Sequence, residues 1–326
     1  MKFLIVGAGG IGCYYGARLQ TAGHEVVFQA RGQHLRAMQD RGLLVRHADF
    51  FFDGMIDAVD QARLTRDFSC DDFDTLILCF KSQATADWLQ GMNDWLANAA
   101  TPILSLQNGV DNEALVEQAV GRARTLGGLA VRIGGHITEP GTVEVDGPAQ
   151  VIFGLWPDAE QGESVPGLPE SMEQAFSAAG IPTTLSPNIQ VELWRKLMLN
   201  NSLNPLSAIT GLDTRSLCAH PYYGPVVKAI MRETLVAGQA DGIELQDKDV
   251  DEMFDLISTF DAIKTSMLVD REKGRPLELD GICGPVLARA AQHDLAVPLT
   301  GLVYALLDGQ QTWHRGPSQP AAGETA

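Results

Sequence analysis

The N-terminal segment contains the pattern that most restricts the fold of this chain. An apolar run from Lys2 to Val6 leads into the glycine-rich segment Gly7-Ala8-Gly9-Gly10-Ile11-Gly12. A helical stretch to about Thr21 and a second strand at residues 24–29 follow. This strand–loop–helix–strand order, with G-x-G-x-x-G spacing, predicts a Rossmann-type dinucleotide-binding domain.

Each glycine of this loop has an expected role. Gly7 permits the tight turn after the strand, Gly9 lets the backbone approach a pyrophosphate, and Gly12 lets the helix and strand pack closely. The helix N-terminus offers its backbone N–H groups and the positive end of its dipole to the phosphates. We therefore expect Gly7, Gly9, Gly10, Ile11 and Gly12 to bind the cofactor.

The end of the second strand indicates which dinucleotide is bound. NAD-binding domains carry an acidic residue there, which contacts the ribose hydroxyls. Here the segment reads Phe28-Gln29-Ala30-Arg31, with no acid and with an arginine just past the strand. A guanidinium pairs with a 2′-phosphate, so the sequence favours NADP. The alternative is that Arg31 is an ordinary exposed arginine.

Two further strands end in polar residues. The run from Asp74 to Phe80 is continuously apolar, as in a buried parallel strand, and it ends at Lys81. The strand at residues 101–106 leads to Asn108. Because ligands of open α/β sheets bind at the carboxyl ends of the strands, Lys81 and Asn108 are candidate cofactor-site residues.

The pattern changes in the second half of the chain. Residues 129–131, 142–145 and 151–154 read as hairpin-linked strands that extend the sheet in antiparallel fashion. Beyond about residue 186 nearly every segment has helical periodicity. We therefore expect an α/β protein with a Rossmann-type domain at 1–186, an all-helical domain at 187–313 and a disordered tail at 314–326.

One helical stretch, residues 192–206, is mostly large and apolar but carries a polar stripe. Lys196, Asn200 and Asn204 are four residues apart, which places them on one face. A solvated stripe is the simpler interpretation, but asparagine is a poor helix former, and such stripes normally use better ones. Lys196 beside two amides is suited to donate a proton to a carbonyl oxygen. Pro205 is expected to kink or end this helix.

Composition excludes several classes of function. The formal net charge is −17, which disfavours nucleic acid and anionic membranes as partners. The five cysteines are irregularly spaced and form no metal-binding motif, so we expect no metal and a reducing cytoplasmic location. No apolar run is long enough to cross a membrane, and the N-terminus has no signal-peptide pattern. A monomer or a homodimer is expected.

Four segments give the chain a resemblance to the ketopantoate reductase (2-dehydropantoate 2-reductase) family over residues 1–310. They are the N-terminal glycine motif with Gly16, the Leu-Gln-Asn-Gly at 106–109, the Trp-Arg-Lys-Leu at 194–197 with Asn200 and Asn-Pro-Leu at 204–206, and the Thr-Ser-Met-Leu-Val-Asp at 265–270 with Glu-Leu-Asp-Gly at 278–281. The resemblance implies that Lys196 is the catalytic acid and that Glu278 contacts substrate and orients the site. It implies that Asn108, Asn200, Asn204 and Ser266 bind substrate or support the lysine, and that Lys81 lies near the cofactor.

The resemblance implies NADPH-dependent reduction of 2-dehydropantoate to pantoate, a step of pantothenate and coenzyme A biosynthesis. The proton from Lys196 and the hydride from the nicotinamide together fit reduction of a 2-keto acid. Two alternatives remain open: a reductase of another branched 2-keto acid, and a nucleotide-binding sensor without turnover.

Overall fold

The computed structural model describes residues 1–156, 167–259 and 262–315, with the side chains of the last helix described as far as residue 310. The chain divides into two compact units, Met1–Leu193 and Trp194–Ala326. The predicted tail at 314–326 lies outside the described residues from residue 316 onward, and residues 314 and 315 are helical.

The first unit is built on an eight-stranded sheet. Its strands are β1 (Lys2–Val6), β2 (Glu25–Gln29), β5 (Asp57–Val59), β6 (Thr75–Leu78), β7 (Ile103–Ser105), β8 (Thr125–Val131), β11 (Gln150–Leu155) and β12 (Thr183–Leu185). They lie in the order β12-β11-β8-β7-β6-β1-β2-β5. Every pair is parallel except β8 with β11, so the predicted Rossmann-type α/β class is confirmed.

Strand β1 shows why this sheet requires helices on both faces. Phe3 and Ile5 pack in one apolar cluster and Leu4 and Val6 in another, and all four are buried. Because alternate side chains of a strand point to opposite faces, both faces of β1 are covered. The continuous apolar run of the sequence follows from this double burial.

Seven helices are described in the first unit. They are α1 (Gly10–Thr21), α2 (Gly32–Arg41), α3 (Gln61–Asp67), α4 (Thr85–Gly91), α5 (Asn93–Leu96), α6 (Asn112–Val120) and α7 (Leu168–Ala178). Short 3₁₀ turns lie at Cys70–Asp72, Ser82–Ala84 and Arg122–Arg124.

A second sheet corrects one prediction. Strands β3 (Leu43–His47), β4 (Phe50–Gly54), β9 (Gly134–Glu139) and β10 (Thr142–Asp146) form a separate sheet in the order β4-β3-β10-β9. Only β11 joins the large sheet in antiparallel fashion, through its pairing with β8. The extension of the large sheet by residues 142–145 is therefore wrong, because β10 pairs with β3, nearly 100 residues earlier in the sequence.

The described part of the second unit is helical. Helix α8 (Ile189–Thr210) enters it from the first unit, and the others are α9 (Thr214–Ala219), α10 (Tyr223–Ala240), α11 (Asp247–Ser258), α12 (Ser266–Glu272), α13 (Leu279–Ile282), α14 (Gly284–His293) and α15 (Pro298–Arg315). Helix α8 does not end at Pro205, which lies inside it. None of the helices described at 1–156, 167–259 and 262–315 is long and apolar enough to cross a membrane.

Candidate active site

The glycine loop between β1 and α1 has the geometry that its sequence predicts. Gly7 has a φ of +91°, and a Cβ atom there would lie 2.6 Å from the Cβ of Phe80. At Gly12 a Cβ atom would lie 2.5 Å from the carbonyl oxygen of Gly7. At Gly7 the backbone conformation and the lack of space both exclude a side chain, and at Gly12 the lack of space excludes it. The turn and the close approach of helix to strand therefore require glycine.

Gly9 differs from the other loop glycines. A Cβ atom built on Gly9 would have no protein atom within 4 Å, so the space in front of this residue is open. Gly9 also precedes the first turn of α1 and accepts the hydrogen bond from Cys13 N at 2.9 Å. The N–H groups of Gly10, Ile11 and Gly12 come before that first helical bond, as at any helix N-terminus. Open space beside these donors fits a pyrophosphate.

Gly10 packs against the second sheet. A Cβ atom at Gly10 would lie 2.2 Å from the carbonyl carbon of Gly135 and 2.3 Å from the nitrogen of His136. Both residues belong to β9. The backbone of β9 therefore rests directly on the first turn of α1, a contact between segments distant in sequence.

The ends of four parallel strands bring the polar candidates of the first unit to one edge of the sheet. Val6 of β1 pairs with Gln29 of β2 and with Leu78 of β6, and Leu78 pairs with Ser105 of β7. The segments that follow these strands carry Arg31, Lys81 and Asn108, and they leave the sheet at the same edge as the glycine loop. The strand order reverses at β1, between β2 and β6, which is where ligands of such sheets bind.

Arg31 is exposed and lies at the N-cap position of α2. The residue at the end of β2 is Gln29, which is buried and accepts a hydrogen bond from Trp88 Nε1 at 3.1 Å. No carboxylate therefore stands at the end of β2, and the first charged side chain after it is a cation.

A buried hydrogen-bond network holds the loop that carries Asn108. Gln107 donates from Nε2 to the carbonyl of Phe80 at 2.8 Å and to Thr85 Oγ1 at 2.9 Å. Thr85 donates to Asn112 Oδ1 at 3.0 Å, and Asn112 donates to the carbonyl of Asn108 at 2.8 Å. Sequence reasoning missed Thr85 and Asn112. Their position near helix starts is the only local signal, and it did not indicate their mutual contact.

In the second unit the polar stripe of α8 is sheltered rather than fully solvated. Asn204 is 6% exposed, and Lys196 and Asn200 are half-buried. Leu193, Leu197 and Leu203 lie on other parts of the same helix and are buried. The ammonium and the two amides therefore line a restricted polar surface about 12 Å long, at 1.5 Å per residue.

One buried apolar cluster lies near the end of α8. It includes Ala208 of α8, Met267 of α12, Leu277, and Leu279 at the start of α13. Three of the predicted site residues are close in sequence to members of this cluster. These are Asn204, Ser266 and Glu278, of which Ser266 is exposed and Glu278 is 9% exposed.

Two groups of contacts fix how α8 sits in the second unit. Asn201, fully buried, donates from Nδ2 to Thr234 Oγ1 at 2.9 Å and to Thr300 Oγ1 at 3.2 Å. Arg195 makes ion pairs with Asp249 at 3.6 Å and with Glu252 at 2.7 Å. The rotation of α8 about its axis, and so the direction of its stripe, is set by α10, α11 and α15. Sequence reasoning did not identify these supporting residues.

Within 1–156, 167–259 and 262–315 there is no group of three or more His, Cys, Asp or Glu side chains arranged to hold an ion. Cys79, beside the glycine loop, has its thiol pKa raised to about 12 by burial, so it stays neutral at physiological pH.

Comparisons with known proteins agree with this arrangement. A family model described as "Ketopantoate reductase PanE/ApbA" matches residues 3–158, and its C-terminal companion matches residues 188–311. The chain belongs to the ketopantoate reductase family. A 2-dehydropantoate 2-reductase of Pyrococcus horikoshii is 30% identical over 96% of this chain and 98% of its own length. Members of this family are oxidoreductases.

Solved structures show the same fold. A ketopantoate reductase of Ralstonia eutropha is 28% identical with a TM-score of 0.83, covering 97% of this chain and 100% of that one. A 2-dehydropantoate 2-reductase of Geobacter metallireducens is 28% identical with a TM-score of 0.84, covering 95% and 100%. A D-mandelate dehydrogenase whose structure contains NADH and anilino(oxo)acetate has a TM-score of 0.86 at 23% identity, covering 97% and 99%. The last likeness concerns the fold alone.

Proposed function

We propose that this protein reduces 2-dehydropantoate to pantoate with NADPH and so serves pantothenate and coenzyme A biosynthesis. The observation that carries the proposal is the sheltered stripe of Lys196, Asn200 and Asn204 on an otherwise apolar helix. A cation flanked by neutral amides suits an anionic keto acid whose carbonyl oxygen gains negative charge during reaction.

The bound nicotinamide supplies the hydride that reaches C2 of the keto acid. Lys196 donates a proton to the oxygen on that carbon and stabilises the charge that develops there. Asn200, Asn204 and Ser266 offer neutral donors to the substrate carboxylate.

In the first unit the glycine loop and the N–H groups of α1 would hold the pyrophosphate of the cofactor, and Arg31 would pair with its 2′-phosphate. The open space at Gly9 and the missing acid at the end of β2 support this assignment. Lys81 and Asn108, at the same sheet edge, complete the cofactor site.

The identity of the keto acid depends on Glu278. Ketopantoate carries a primary hydroxyl that simpler branched keto acids lack, and a buried carboxylate is a suitable acceptor for it. A substrate without the hydroxyl cannot make this hydrogen bond. Sites that read a hydroxyl in this way reject the deoxy analogue by about 10⁴ or more, whereas an apolar pocket discriminates by only about 10- to 200-fold.

The test is the oxidation of NADPH, followed at 340 nm in the presence of a panel of 2-keto acids. The panel contains ketopantoate, 3,3-dimethyl-2-oxobutanoate as its deoxy analogue, and 2-oxo-2-phenylacetate, the keto acid of mandelate. We expect kcat/KM for ketopantoate to exceed that of the deoxy analogue by orders of magnitude. Equal rates with both acids would show that Glu278 reads no hydroxyl and that the substrate is another 2-keto acid. If the protein binds NADPH but reduces none of these acids, the nucleotide-sensor alternative is favoured instead.

A further inference from the structure

His34 occupies an unexpected place beside the glycine loop. It lies in the first turn of α2 and is half-buried between α1 and the turn that joins β9 to β10. The backbone N–H of Gly141 in that turn donates to His34 Nδ1 at 3.0 Å. On the other side of the ring, the Sγ atom of Cys13 lies 3.6 Å from His34 Nε2.

These contacts define the protonation state of the imidazole. A backbone N–H can only donate, so Nδ1 of His34 must be the acceptor and carry no proton. The neutral ring then has its proton on Nε2 and donates toward the thiol of Cys13. Protonation of Nδ1 would place two N–H groups against each other and lose the bond to Gly141. Burial also lowers the pKa of His34, partly offset by the nearby Ala8 carbonyl.

The chain of contacts ends in the glycine loop. Cys13 donates from Sγ to the carbonyl oxygen of Ala8 at 3.3 Å, and Ala8 lies between Gly7 and Gly9. Burial raises the pKa of the Cys13 thiol, so its proton stays in place. Hydrogen bonds therefore run in one direction, from Gly141 through His34 and Cys13 to Ala8.

The far end of this chain is itself fixed. Gly141 has a φ of +83°, and a Cβ atom there would lie 3.2 Å from the Cβ of Ala37. Arg41 donates to the carbonyl of Pro140 at 3.0 Å. The β9–β10 turn is thus held to α2 at Arg41 as well as at His34, which gives the imidazole a fixed reference point.

We propose that His34 is a positioning residue for the cofactor: it holds the Ala8 carbonyl, and with it the pyrophosphate-binding loop, in register with the start of α2. This inference rests on the proposed dinucleotide binding. Because Arg31 begins α2 and Gly9 follows Ala8, the same imidazole sets the spacing between the proposed 2′-phosphate and pyrophosphate contacts. The neutral ring performs this role, and the protonated ring does not.

Other titratable groups lie on the elements around His34, and their effects on binding have to be distinguished from the effect of His34. Helix α1 contributes the Cys13 thiol, and the β9–β10 turn contributes Glu139, which accepts a hydrogen bond from Thr142 at 3.4 Å. Helix α2 itself, with its N-cap residue, contributes three arginines and one acid. These are Arg31, Arg36, Asp40 and Arg41.

The experiment compares two variants of His34 with a control on the same helix. His34→Leu removes both hydrogen bonds and keeps a side chain of similar size. His34→Gln places an amide N–H where Nε2 lay, and this amide does not titrate. Gln39→Ala removes the bond from Gln39 Nε2 to the carbonyl of Ala58, 2.9 Å long, and lies outside the chain of contacts. The dissociation constants of NADPH and NADH are measured by nicotinamide fluorescence, together with melting temperatures.

At pH 7.5 we expect His34→Leu to weaken the binding of NADPH and of NADH alike by roughly tenfold, because both dinucleotides carry the pyrophosphate. His34→Gln should keep most of the affinity, and Gln39→Ala should keep all of it. The pH profile is recorded with NADH, which has no 2′-phosphate to titrate. The affinity of the unmutated protein should fall between pH 7.5 and 5.5, and that of the His34→Gln variant should fall much less.

Two outcomes overturn the inference separately from the proposed function. If the unmutated protein binds NADH or NADPH but His34→Leu binds them equally well, the glycine loop does not depend on His34. If the pH profiles of the unmutated protein and His34→Gln coincide, the neutral imidazole has no special role. Failure of the unmutated protein to bind either dinucleotide would instead refute the proposed cofactor, and the inference with it. Should His34→Leu not fold, His34→Gln and its pH profile decide alone.

Discussion

At the scale of single residues, Lys196 is the most consequential side chain of the proposal. Lys196→Ala should lower kcat by roughly 10²- to 10⁴-fold, the range for loss of a general acid, because no proton then reaches the reduced carbonyl. The dissociation constant of NADPH should not change, since the candidate cofactor contacts belong to the first unit. Lys264→Ala is the control, because Lys264 is exposed and pairs with Glu272 at 2.7 Å. A Lys196→Ala variant that keeps most of its kcat would mean that the stripe is merely structural.

Arg31 decides the choice of cofactor. Arg31→Ala should weaken the binding of NADPH roughly ten- to hundredfold through loss of a charge-assisted contact, and should leave the affinity for NADH nearly unchanged. Arg36→Ala tests the general effect of removing a positive charge, because Arg36 is also exposed and lies on the same helix. Both affinities come from the same fluorescence titrations. If the unmutated protein uses NADH and NADPH equally, the absence of an acid at the end of β2 does not indicate a preference for NADP.

The sequence indicated the residues of the site better than the residues that hold them. Lys196, Asn200 and Asn204 are visible because helical periodicity alone aligns them. Asn201 looks like one more polar residue of that helix, yet it is fully buried and bonds to Thr234 and Thr300, which lie 33 and 99 residues further along the chain. Local patterns do not contain such pairings, so the supports of α8 could be found only in the structure.

At the scale of elements, Gly9 and Gly10 form a natural matched pair, adjacent in sequence but opposite in environment. Gly10→Ala should destabilise the first unit by about 1–3 kcal/mol, because its methyl group meets the backbone of β9. Gly9→Ala should leave stability unchanged or slightly raised, since its methyl group enters open space. It should nevertheless weaken both NADPH and NADH, because that space is where the pyrophosphate is proposed to lie.

Urea unfolding and cofactor titration of the two variants give the comparison. Loss of stability in Gly9→Ala, or unchanged stability in Gly10→Ala, would contradict the packing around α1. The roles that the sequence assigned to Gly7 in the turn and to Gly12 in helix–strand packing agree with the geometry, because the motif is local. The role of Gly9 at the pyrophosphate stays a prediction. The sequence assigned Gly10 only to phosphate binding and missed β9, since the second sheet depends on the distant pairing of β3 with β10.

At the scale of the whole molecule, the folding free energy should depend on pH in a defined direction. Burial lowers the pKa of both His24 and His34 below the usual value of 6.5. Below pH 6.5 the unfolded chain therefore takes up protons that the folded chain resists, and stability falls as the pH falls. Hydrogen bonds from backbone N–H groups lower the pKa of Asp71 and Asp213, so their contribution is lost only below about pH 3.8.

The pH range in which the two histidines act can be measured separately from the range of the two aspartates. The range from pH 7.5 to 5.5 lies above the window of the two aspartates and above the isoelectric point of about 4.7, where aggregation would interfere. Urea unfolding across this range should show a steady loss of stability on acidification. His34→Gln should show a shallower loss, because one of the two resisting groups is gone, and His24→Gln should remove the other part. A flat profile in the unmutated protein would mean that neither imidazole is held neutral by the fold, which would also remove the physical basis for a pH-dependent glycine loop.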